Sequence, residues 1–178
     1  NSFPAGDQIK GDGAPVEYAV FHGDIGFGVN LALQTGLTAE DLEPLHRLLS
    51  DPAVMRYLEP PFTRAQTEAF LQKAGMGREP LIWAVEDGRG FAGYVIYHPY
   101  DETSMELGWV LASDRWGRGY ALALTRQMIC RARESGRDAV IECHPQQAAT
   151  RHIAEKLGFR PCGMDGGCCV YRLAGKNE

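Results

Sequence analysis

Apolar residues recur at helical spacing over residues 42–49, where Leu42, Leu45, Leu48 and Leu49 fall on one side of a 3.6-residue repeat. Thr38-Ala39-Glu40-Asp41 has the spacing of a capping box and predicts the start of that helix. Pro44 lies early in it, where it costs one backbone bond. A second box, Thr63-Arg64-Ala65-Gln66, predicts another helix, continued by Phe70, Leu71 and Ala74. Between the two, Met55-Arg56-Tyr57-Leu58-Glu59-Pro60-Pro61 reads as a stiff loop. The pattern then changes to short apolar runs. Residues 81–86, 91–97 and 105–111 predict three strands, the first two joined by the hairpin turn Asp87-Gly88-Arg89-Gly90. Connections this short imply an antiparallel meander.

A helical period returns after residue 119, with Ala121, Leu124, Met128 and Ala132 on one face and Gly136 as its stop. Residues 139–143 follow that helix as a strand, which is expected to run parallel to its neighbour. Residues 150–157 predict a short helix ended by Gly158. Residues 159–163 and 168–173 predict a hairpin around Asp165-Gly166-Gly167. Near the start, residues 16–21 and 27–33 suggest strands either side of the turn His22-Gly23-Asp24-Ile25-Gly26. Residues 1–15 hold three glycines, two prolines and no apolar period, and read as a loose extension. The expected division is an extension over 1–28, partly loose or hairpin, and one α+β domain over 29–175.

Composition narrows the classes. A chain of 178 residues with 44% hydrophobic and 23% charged residues has enough material for one globular core. The formal net charge of -5 argues against a nucleic-acid binder, which needs a basic face, and is compatible with an amine-bearing partner. Five cysteines, an odd number with no CxxC pair, read as reduced thiols. Cys143-His144 with Cys168-Cys169 has the residue types of a zinc site, but small buried strand residues account for them better, and no metal is expected. Neither a signal peptide nor a membrane span is expected, and the expected location is the cytoplasm.

The chemistry concentrates in Arg115-Trp116-Gly117-Arg118-Gly119-Tyr120-Ala121. A strand enters a turn with two glycines, and the turn enters a helix. The first amides of a helix lack internal partners and sit at the positive end of its dipole, while glycine lets a ligand approach the backbone. Such a turn is built for a phosphate or pyrophosphate. A dinucleotide fingerprint fails here, because Leu122 stands where a third Gly or Ala is needed and the preceding strand belongs to a meander.

The order of elements, together with two motifs, resembles the GNAT superfamily of acyl-CoA-dependent N-acetyltransferases, in its ribosomal-protein N-terminal acetyltransferase (RimJ/RimL) branch. Trp116, Gly119 and Ala121 fall on the fixed positions of the family's Gln/Arg-x-x-Gly-x-Gly/Ala motif. Trp116 departs from Gln/Arg, although Trp-Gly-Arg-Gly-Tyr-Ala is close to that branch's usual wording. Gln147 and Thr150 replace the Asn and Ser of the second motif, and Glu155-Lys156-Leu157-Gly158-Phe159 matches its end. The resemblance spans roughly residues 30–173. It implies a GNAT fold: a mostly antiparallel mixed sheet with a splayed central strand pair and flanking helices.

It also implies roles. Acetyl-CoA is the implied co-substrate. Amides from Gly117 to Ala121, Tyr120 included, would cradle its pyrophosphate, with charge from Arg118 and support from Trp116 and Gln147. Trp109, Val110 and Leu111 would meet the pantetheine in the splay, and an amide near Trp109 or Val110 would polarise the thioester carbonyl. Glu106 has two readings, a base for the acceptor amine or a solvated strand carboxylate. Thr150 either bonds the leaving thiolate or a water, or caps a helix start. A Tyr general acid found elsewhere in the family is replaced by Ala154. Tyr57 lies where the acceptor loop is expected, and a core aromatic is its other reading. His144 is either a proton relay or a structural turn residue. The implied reaction is direct transfer to a primary amine, of a small molecule or a protein N-terminus, by a monomer or homodimer. A non-catalytic acyl-CoA sensor of the same fold is the alternative.

Overall fold

The computed structural model describes residues 21–24 and 30–175. The expected loose extension and most of the first expected strand lie outside the described residues. Within them, eight strands form one sheet in the order β1-β2-β3-β4-β5-β6-β8-β7. The strands are β1 (Phe21–Asp24), β2 (Asn30–Gln34), β3 (Ile82–Asp87), β4 (Gly90–Pro99), β5 (Ser104–Leu111), β6 (Asp138–Cys143), β7 (Arg160–Asp165) and β8 (Cys168–Leu173). The helices are α1 (Leu42–Leu49), α2 (Pro52–Met55), α3 (Arg64–Phe70), α4 (Tyr120–Glu134) and α5 (Ala148–Lys156). All neighbouring strands pair antiparallel except β5 and β6, which run parallel. None of the described helices is long and apolar enough to cross a membrane.

Two expectations change. His22, Gly23 and Asp24 carry a strand, not a turn, and pair with Ala32, Leu31 and Asn30. Glycine and aspartate disfavour strands, but β2 is fixed in the core by buried Leu31 and Leu33 and offers its ladder to them. The loop expected from Met55 begins at Arg56, and an unexpected short helix, α2, precedes it. Asp51 caps α2 by accepting from Ala53 N–H at 2.9 Å, and Pro52 sits at the first helical position.

Elsewhere the local signals act as read. Thr63 Oγ1 accepts from Gln66 N–H at 3.2 Å while Gln66 Oε1 accepts from Thr63 N–H at 2.8 Å, closing the capping box of α3. Asp41 accepts from Thr38 N–H at 2.7 Å ahead of α1. A π-helical turn over Leu71–Gly75 extends α3.

Alternation along the strands divides the core in two. Trp83, Val85, Val95, Tyr97 and Leu107 face Leu124, Met128, Ile129 and Ala132 of α4 and Ala154 of α5. The alternate residues Ile82, Ala84, Tyr94, Ile96 and Val110 face Leu45, Leu48 and Leu49 of α1, Met55 of α2, and Leu71 and Ala74. Helices therefore cover both faces, and each fully buried side chain such as Leu45 or Leu124 stabilises the fold by about 2 kcal/mol.

Candidate active site

The parallel pairing of β5 with β6 is brief. Ser104, Met105 and Glu106 pair with Asp138, Ala139 and Val140, and there the ladder stops. Each strand keeps its outer partner well past that point. β5 pairs with β4 as far as Leu111 opposite Gly93, and β6 pairs with β8 as far as Cys143 opposite Cys169. The sheet therefore opens between residues 107–111 and 141–143. Backbone groups on the inner edges of the opening lack a strand partner, and an extended chain could occupy the gap.

The glycine turn closes one end of β5. Gly117 and Gly119 take φ of 70° and 80°, which only glycine adopts without strain. Gly119 is the N-cap of α4 and no side chain caps it. The first intrahelical bond is Ala123 N–H to the Gly119 carbonyl at 3.1 Å. Amides of Tyr120, Ala121 and Leu122 thus point out of the helix start toward solvent. A Cβ added to Gly117 or Gly119 would meet no atom within 4 Å, so the space over these amides is open. An uncapped helix start beneath open space fits a phosphate group.

A buried ion pair holds this turn in place. Arg115 donates Nε to Asp87 Oδ2 at 3.0 Å and Nη2 to Asp87 Oδ1 at 3.2 Å. From the other side of the turn, Tyr120 donates its hydroxyl to Asp87 Oδ2 at 2.9 Å. Burial alone would raise the Asp87 carboxyl, but Arg115, the Arg89 amide and Tyr120 bring it down to about 2. The Tyr120 side chain is therefore committed to the scaffold, and only its amide is available to a ligand. Trp116 is half exposed, and its indole Nε1 donates to the Leu111 carbonyl at 3.0 Å. That bond ties the turn to the end of β5 and occupies part of the Leu111 backbone.

Glu106 sits at the last β5–β6 pair, where the opening begins. Alternation with Met105 and Leu107 turns it toward the face covered by α1–α3. It is mostly buried and not solvated: its Oε2 lies 3.1 Å from His98 Nε2 on β4, its direct cross-strand neighbour. His98 Nδ1 lies 2.9 Å from the Pro99 carbonyl. On the other side of the opening, Glu142 of β6 accepts from the Tyr100 hydroxyl at 2.8 Å. Burial raises the Glu142 carboxyl, Tyr100 counters this, and the charge of Glu106 raises it further. The Tyr100 hydroxyl is itself pushed up by that bond. Two coupled carboxylates thus flank the opening from adjacent strands.

The far end of β6 carries the remaining candidates. His144 stacks on Tyr57, with ring centroids 5.5 Å apart and planes at 26°. The Arg56 guanidinium lies over the Tyr57 ring at 5.1 Å. Gln147 Oε1 accepts from His144 N–H at 2.9 Å, so this side chain secures the turn into α5. Thr150 lies inside the first turn of α5, whose N-cap is Gln147, and its hydroxyl has no partner among the described residues. Ala154 is fully buried. Burial pushes the Cys143 thiol up to about 11, which keeps it protonated and unsuited to nucleophilic attack. Among the described residues no three His, Cys, Asp or Glu side chains converge on a metal position. A cleft of about 470 Å³, lined by Arg47, Asp51, Arg89 and Ser113 among others, does not include Glu106.

His98, Tyr100, Glu142 and Asp87 were not among the residues picked out by sequence. Asp87 carried a signal only as a turn residue. The others required knowledge of which strand lies beside which.

The Acetyltransferase (GNAT) domain family matches residues 32–160. The protein YkkB of Bacillus subtilis (strain 168) is 30% identical over 123 residues, 63% of this chain and 71% of YkkB. A crystal structure of a GCN5-related N-acetyltransferase from Brucella melitensis superposes with a TM-score of 0.69 at 25% identity, covering 89% of this chain and 80% of that one. The structure of RimL, a ribosomal L7/L12 alpha-N-protein acetyltransferase in complex with coenzyme A, shares the fold with a TM-score of 0.67 at 16% identity, over 81% of this chain and 93% of its own.

Proposed function

We propose that this chain, which belongs to the GNAT acetyltransferase family, moves an acetyl group from acetyl-CoA directly to a primary amine within a ternary complex. The acceptor is a small-molecule amine or a protein N-terminal α-amine, as in the RimJ/RimL branch. One observation carries this reading: the opening between β5 and β6 runs from the uncapped glycine turn at one end to a buried carboxylate, Glu106, at the other.

The amides from Gly117 to Ala121 bind the CoA pyrophosphate, and Arg118 adds positive charge. The pantetheine lies along the inner edge of β5 at Trp109, Val110 and Leu111, like an added strand. The acceptor enters from the α1–α3 face past Tyr57. Glu106 takes the ammonium proton, because only the neutral amine attacks. A C–N bond forms at the thioester carbonyl and the C–S bond breaks. A β5 amide near Trp109 or Val110 stabilises the developing oxyanion. The thiolate leaves, hydrogen-bonded by the Thr150 hydroxyl, and takes through water the second proton that the acylated nitrogen gives up, so that no protein acid is needed in place of the tyrosine missing at Ala154.

A free-thiol release assay with acetyl-CoA and a panel of primary amines tests the reading. Amine-dependent thiol release with a matching N-acetyl product is expected. Tight CoA binding with no release from any small amine or N-terminal peptide would reject catalysis.

A further inference from the structure

The contact between His98 and Glu106 has a proton count that its geometry fixes. The Pro99 carbonyl oxygen carries no hydrogen, so the 2.9 Å contact with His98 Nδ1 requires the proton to be on Nδ1. In a neutral imidazole Nε2 then offers only a lone pair. Glu106 Oε2 at 3.1 Å, if ionised, offers another. Two lone pairs do not meet at that distance in a mostly buried site, so one further proton lies between them. The pair is imidazolium with carboxylate, or imidazole with carboxylic acid, and in both forms Oε2 is engaged.

We infer that His98 is a positioning residue that shares one proton with Glu106, so that the two act as one proton-holding dyad which must lose that proton before it can take one from the acceptor amine. The inference rests on the transferase reading above and adds a residue to it. The groups that bear on His98 are Glu106 of β5, the Pro99 carbonyl, and Glu142 of β6, which is held by Tyr100. Burial is the largest single influence and opposes the imidazolium, but the bond to Glu106, the Pro99 carbonyl and the charges of Glu106 and Glu142 together outweigh it, and the net direction is upward from 6.5. Glu106 therefore rests beside a cation as long as His98 holds its second proton. Loss of the His98 proton removes that cation, and amine deprotonation becomes favourable. Activity accordingly rises with the titration of His98, at a pH above that of an ordinary histidine.

Two measurements test this. Imidazole 15N spectra of the full chain follow His98 without turnover, its resonances being identified by their loss in His98→Gln. A midpoint above 6.5 is expected, falling by about one pH unit or more in Glu106→Gln. The pH dependence of kcat/KM for an amine that is a substrate forms the second arm. Gln keeps a donor toward Glu106 but has no proton to lose, so the ionisation assigned to His98 should vanish from the profile of His98→Gln. A His98 midpoint unmoved by Glu106→Gln, or a His98→Gln profile superimposable on wild type, overturns the dyad. Absence of any amine-dependent release sinks the transferase reading instead, and the spectra still decide whether the dyad exists.

Discussion

Asp87 and Arg115, 28 residues apart in the chain, meet in a two-pronged ion pair that fixes the β3–β4 hairpin to the glycine turn. Both side chains are almost fully buried at the contact. Removing the carboxylate would leave a guanidinium in the interior without its main partner. Asp87→Asn is expected to destabilise the fold by about 3 kcal/mol in urea denaturation, the usual cost of breaking a buried pair. A loss under about 1 kcal/mol would mean that Asp114, which accepts from Arg115 Nη1 at 2.9 Å, is a sufficient partner.

The same residue gives an acid-sensitivity prediction. Its folded pKa of about 2 lies below the unfolded 3.8. The stability it contributes is therefore complete above pH 3.8 and disappears as pH falls from there through about 2. That amounts to about 2 kcal/mol for a shift of this size. Asp87→Asn should lack this part of the pH dependence. Identical slopes for the two proteins between pH 4 and 2 would refute it.

Gly119→Leu probes the donor site. A leucine at φ 80° carries strain of about 1–2 kcal/mol, yet its Cβ meets no atom within 4 Å and the fold should persist. The side chain fills the space above the helix-start amides. CoA affinity measured by calorimetry should fall at least about tenfold, the equivalent of 1.4 kcal/mol. Unchanged affinity in a folded variant would remove the pyrophosphate from this turn.

Glu106→Gln should lower kcat by about 10²–10⁴, the range for loss of a positioned base. Affinity for CoA should change little, since Glu106 lies at the opposite end of the opening from the turn. A wild-type rate across the pH range would assign the proton to water or to Glu142.

Tyr57→Ala removes the stack on His144 and the seat of the Arg56 guanidinium. The expected result is a raised KM for the amine with CoA affinity preserved. Equal losses for both substrates would make Tyr57 a scaffold aromatic that keeps the end of β6 in place.

Local signals were legible wherever the deciding contacts are near in sequence. The capping box at Thr63 and Gln66, the hairpin at Asp87–Gly90 and the stripe from Leu124 to Ala132 each depend on a handful of adjacent residues. α2 escaped notice because four residues carry no period, even though Asp51-Pro52 bears a start signal. The side chains around Glu106 were hidden for a different reason. His98 faces Glu106 only because β4 and β5 pair in one register, and a slip of one residue would turn it to the other face. Glu142 comes near only because a parallel strand returns beside β5 after a fifteen-residue helix. Trp116 could be placed on a motif, but its bond to the Leu111 carbonyl depends on how the turn folds back over the strand end.

The three-pair join between residues 104–106 and 138–140 also makes the sheet a structure of two leaves with a seam. Five strands lie on one side and three on the other, and the backbone ladder that normally makes a sheet cooperative is nearly interrupted between them. Besides the short β5–β6 join, α4 bridges the seam, packing on both β5 and β6. A ligand that hydrogen-bonds along the gap would act as a ninth strand, and amide exchange on both leaves would slow together when it binds.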